Sequence, residues 1–66
     1  MTKTVTATFS NSDAARNAMD ELLADGIDRE KLFLDKGRAE LKVMIPDTIE
    51  PEITEILNRH QPTTLH

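Results

Sequence analysis

The chain has 66 residues, 12 acidic against 8 basic, a formal charge of −4 and no cysteine. That is one domain without room for a second core, burying only about 60% of its unfolded surface, and without disulfides or thiolate-held zinc or iron–sulfur clusters. No run approaches the ~20 apolar residues of a membrane span, and the acidic balance repels phosphate backbones and anionic bilayers, so neither nucleic acid nor membrane is expected as a partner.

The stretch Met1 to Phe9 is threonine-rich and lacks the apolar centre of a signal peptide; the cytoplasm is the expected location. Residues 4–10 alternate strictly, Val5, Ala7 and Phe9 on one face and Thr4, Thr6, Thr8 and Ser10 on the other. Period two in good β formers predicts a half-buried strand. Ser-Asn-Ser-Asp follows, with Ser10 or Ser12 as the expected helix cap. From there Ala15, Ala18, Met19, Leu22 and Leu23 form a helical stripe opposite Arg16, Asn17, Asp20 and Glu21. Gly26 after Asp25 supplies a left-handed stop, and Ile27 its hydrophobic contact. The predicted helix covers 12–26.

Residues 31–45 read as a β-hairpin turning at Asp35-Lys36-Gly37-Arg38. With Lys36 and Gly37 as a two-residue loop, Leu34 faces Ala39 and Leu32 faces Leu41. Leu32, Leu34, Ala39, Leu41, Val43 and Ile45 then share one face, whereas a one-residue slip mixes the faces. Pro46 ends the strand, and Asp47 or Thr48 is the expected cap of a second helix, with the proline at position 51 favouring Thr48 or later. Ile49, Ile53, Ile56 and Leu57 are its apolar stripe, and Pro51 fits only in its first turn. Pro62 breaks the helix, leaving residues 63–66 as a short edge strand at best.

The order β, α, β, β, α, weak β over residues 1–66, joined by right-handed crossovers, predicts an α+β fold. It is a split βαββαβ sandwich of the ferredoxin-like kind: a four-stranded antiparallel sheet with the first and third strands central and both helices on one face.

Chemistry is sparse. His60 and His66 are the only imidazoles, too few for a metal site, and are expected to be solvated. Asp20, Glu21, Asp25 and Asp28 lack the alternating spacing of a calcium loop. The two glycines both belong to turns, so no phosphate-binding loop exists, and no Ser/His/Asp order suggests a nucleophile. No enzyme activity, cofactor or metal is expected. The open sheet face is the one surface of interest: Thr4, Thr6 and Thr8 from the first strand, Phe33 from the second, Glu40, Lys42 and Met44 from the third. RNA-recognition domains of this topology stack bases on aromatics of the central strands; here those strands offer threonines and a methionine.

The stretch Ser12 to Leu34, with Ala15, Ala18, Leu22, Leu23, Gly26 and Ile27, resembles small bacterial ferredoxin-like domains of the general-stress-protein type, and also regulatory ACT-like modules. The shared residues are packing positions and a helix stop, covering about a third of the chain, so the resemblance implies a fold and no functional residue. ACT-like modules bind ligands near a glycine in the first loop, where this chain has Asn11; heavy-metal-associated relatives need two cysteines there. The expected role is a small cytoplasmic accessory domain acting through protein–protein contacts, as a weak homodimer centred on Thr6, Phe33 and Met44. A ligand-sensing regulatory module stands second and a nucleic-acid-binding module third.

Overall fold

The computed structural model describes residues 1–65. Its elements are β1 (Thr2–Thr8), α1 (Ser12–Ala24), β2 (Leu32–Asp35), β3 (Glu40–Pro46), α2 (Glu50–Arg59) and β4 (Thr64–Leu65). Single 3₁₀ turns, Arg29–Lys31 and Asp47–Ile49, lead into β2 and α2. The sheet is antiparallel in the order β2-β3-β1-β4, the expected split βαββαβ, ferredoxin-like arrangement with β1 and β3 central.

Val5, Ala7 and Phe9 point inward, as do Leu32, Leu41, Val43 and Ile45 of the hairpin. They meet Ala15, Ala18 and Leu22 of α1 and Ile53, Ile56 and Leu57 of α2. The two alanines have no bulk beyond Cβ, so α1 lies close against the sheet. Every buried residue is apolar among the described residues. The core therefore rests on area removed from water, roughly 25 cal/mol per Å².

The helix stop is as expected. The Ile27 N–H bonds to the Leu22 carbonyl and the Gly26 N–H to that of Leu23, the paired bonds of a Schellman end, with Gly26 at φ 106°. The cap differs: Asn11, not Ser10 or Ser12, precedes α1, and its Oδ1 accepts the Ala14 N–H at 2.8 Å. At α2 the residue at the cap position is Ile49, later than Thr48 as Pro51 favours, and neither Asp47 nor Thr48 caps by side chain. The 3₁₀ turn runs directly into the helix, and the Glu50 N–H bonds to the Asp47 carbonyl. Pro51 lies in the first turn, where its missing N–H costs no bond.

The hairpin corrects the expected register by two residues. Leu34 pairs with Leu41 and Leu32 with Val43, leaving a four-residue loop, Lys36–Ala39. A two-residue shift preserves the inward face, so alternation alone cannot choose between the registers. The observed one sets two large apolar side chains opposite each other where the shorter loop would set Leu34 against alanine. The left-handed residue of the loop is Ala39, at φ 50°, rather than Gly37. The Asp35 carboxylate accepts the Arg38 N–H at 3.3 Å, and the Ala39 carbonyl accepts the Phe9 N–H at 2.8 Å.

β4 pairs with β1 at Ala7↔Leu65 and Thr8↔Thr64. The Thr8 carbonyl also accepts the Thr63 N–H at 2.7 Å and the Thr63 hydroxyl at 3.0 Å. His66 lies outside the described residues. No helix among them is long and apolar enough to cross a membrane.

Candidate functional site

The seven residues expected on the open face are brought together there, and the register arranges them in rows. Phe33, Lys42 and Thr6 form one row across β2, β3 and β1; Met44 and Thr4 form the next. On the other side of the Phe33 row lie Asp35, Glu40, Thr8 and Thr64. Asp35, expected in the turn, moves with the two-residue shift into β2 opposite Glu40. Period two counted from Phe33 is the signal that places it on this face.

Phe33 is 50% exposed, the one large apolar side chain left open within the sheet. Lys42 separates it from Thr6, so the apolar area centres on Phe33 beside a cation and does not run unbroken through Thr6, Phe33 and Met44. The Lys42 ammonium is 3.9 Å from Glu40 Oε1, and Arg38 Nε is 3.9 Å from Asp35 Oδ2. Both separations are at the outer limit of an ion pair. Asp35 and Glu40 are thus like charges directly opposite each other, an arrangement that disfavours the strand pair. Phe33, Leu34, Asp35, Glu40 and Lys42 line a shallow depression of about 140 Å³. A second, about 110 Å³, lies between the start of α1 and the hairpin loop, lined by Ser12, Asp13, Arg16, Leu34 and Lys36.

The helical side carries a polar cluster whose link between the two helices no local spacing announces. Glu21 of α1 bonds His60 Nε2 through Oε1 at 2.7 Å and Arg59 through Oε2 at 2.9 Å. Arg59 also reaches Glu55 at 3.7 Å. His60, expected to be solvated, is half-buried at the end of α2. Its position is set by how the two helices cross, which no spacing within either helix reports. Among the described residues no three metal-ligating side chains gather.

No family model matches the chain, and comparison with curated proteins and solved structures gave no match.

Proposed function

We propose that this is a small accessory domain of the cytoplasm that works by protein–protein contact rather than by chemistry, docking through its open sheet face and pairing there with a second copy. The observation that carries the reading is Phe33, half exposed on the open sheet face with polar neighbours around it. Covering its exposed half contributes about 1 kcal/mol per subunit, and a two-fold dimer counts it twice. Small-ligand sensing is the weaker reading, because the depression beside Phe33 falls short of the roughly 300–1,000 Å³ of ordinary ligand pockets.

Sedimentation over a range of concentrations tests the reading. The wild-type chain is expected to show a weak monomer–dimer equilibrium, and Thr6→Glu to shift it to monomer while leaving the circular dichroism spectrum unchanged. A wild-type chain that stays monomeric at high micromolar concentration, or a dimer indifferent to Thr6→Glu, overturns it.

A further inference from the structure

Glu40 and Lys42 stand two residues apart on the same face of β3, and Asp35 lies opposite Glu40 on β2. The open face therefore carries an acidic row, Asp35 and Glu40, directly beside a row whose charge is Lys42. The acids are incompletely compensated within the chain, since each has a single cation at 3.9 Å. An isologous interface needs a surface complementary to itself, in which residue i meets j and j meets i. Adjacent rows of opposite charge meet that need.

Building on the face-to-face dimer proposed above, we infer the register of its two copies. The two-fold axis runs across the strands between the rows, so that the Lys42 ammonium of each copy meets the acidic row, Asp35 and Glu40, of the other. An axis through the Lys42 row would set ammonium against ammonium, and one through the acidic row carboxylate against carboxylate; like-charge contacts of this kind suppress a register. In the register between the rows, each acidic pair gains a third cation, the partner's Lys42, beside its own Arg38 and Lys42, and Phe33 of each copy lies opposite the Asp35 position of the other. Lys42, with 52% of its side chain exposed, has the freedom to reach across. The two chains repel each other overall at −4 each, so these local contacts decide whether the faces meet.

The single charge changes test the register, and mixing tests whether these charges face each other across the interface at all. Lys42→Glu alone and Glu40→Lys alone each set like charges against like, and each is expected to lose self-association by about tenfold or more. An equimolar mixture of the two variants restores opposite-charge contacts between unlike copies, and sedimentation should show dimer in the mixture and monomer in either variant alone. If a reversal variant loses its circular dichroism spectrum, Lys42→Gln and Glu40→Gln replace the pair, each expected to weaken association severalfold; unchanged association overturns the register. A dimer abolished by Thr6→Glu but not regained on mixing keeps the open face as the interface and overturns the register. A dimer that Thr6→Glu leaves intact overturns the face itself.

Discussion

Glu21 Oε1 and His60 Nε2 lie 2.7 Å apart, joining α1 to the end of α2 across 39 positions of sequence. The same carboxylate holds Arg59 through its other oxygen at 2.9 Å, so one glutamate clasps two consecutive residues where the second helix stops. Apart from the Lys3–Glu50 ion pair at 2.8 Å between β1 and the start of α2, the two helices meet each other and the sheet through apolar side chains, which fix distance but tolerate sliding. A directional contact at their ends fixes how they cross.

His60→Ala is expected to lower the unfolding free energy by about 1 kcal/mol, in the range of a single partly exposed hydrogen bond. Glu21→Ala should cost more, because it also releases Arg59. The double variant should lose less than the sum by about 0.5–1 kcal/mol, the mark of a direct contact. Urea denaturation of the four proteins measures this cycle. Strictly additive losses would show that the 2.7 Å contact contributes nothing in solution.

The cap of α1 separates three neighbouring residues. Asn11→Ala removes the acceptor of the Ala14 N–H and should cost about 1 kcal/mol, lowering Tm by roughly 4–8 °C in a domain of this size. Ser10→Ala and Ser12→Ala should each stay within about 0.5 kcal/mol. Thermal unfolding of the three variants decides which residue caps. An effect concentrated at either serine would contradict the observed geometry.

The hairpin loop keeps its glycine in the wrong place. Ala39 occupies a left-handed conformation at φ 50°, while Gly37 does not, and a Cβ added at Gly37 would meet only Asp35 Oδ1 at 3.5 Å, an ordinary contact. Gly37→Ala should therefore stabilise by about 0.4–1 kcal/mol through the unfolded chain. Ala39→Gly relieves about 1–2 kcal/mol of left-handed strain and loses part of that to glycine's entropy. Together they should raise Tm by several degrees on the same scale. A loss of stability on Ala39→Gly would mean that the methyl group's packing outweighs the strain.

The parts of this fold legible in the sequence are those encoded by local periodicity and local backbone chemistry. Val5-Thr6-Ala7-Thr8 states its own strand and its own inward face, and Asp25-Gly26-Ile27 states where a helix stops, because each needs only neighbours a few residues away. The membership of the open face follows for the same reason: Thr4, Thr6, Thr8, Phe33, Glu40, Lys42 and Met44 are fixed by parity once the strands are placed.

What parity cannot see is decided by packing. A two-residue change of hairpin register leaves every side chain on its face, so the choice falls to burial, with Leu41 rather than Ala39 opposite Leu34. That change carries Asp35 out of the turn and sets it against Glu40, creating the acidic row. Asn11 prevails over two serines as cap because the chain leaving Phe9, held at the Ala39 carbonyl, sets where the first helical turn can begin. His60 finds Glu21 because two helices cross at one particular angle on one particular sheet. Periodicity repeats every two or 3.6 residues and is blind to shifts by a whole repeat, whereas contacts between elements depend on absolute position and exist only once the core has closed.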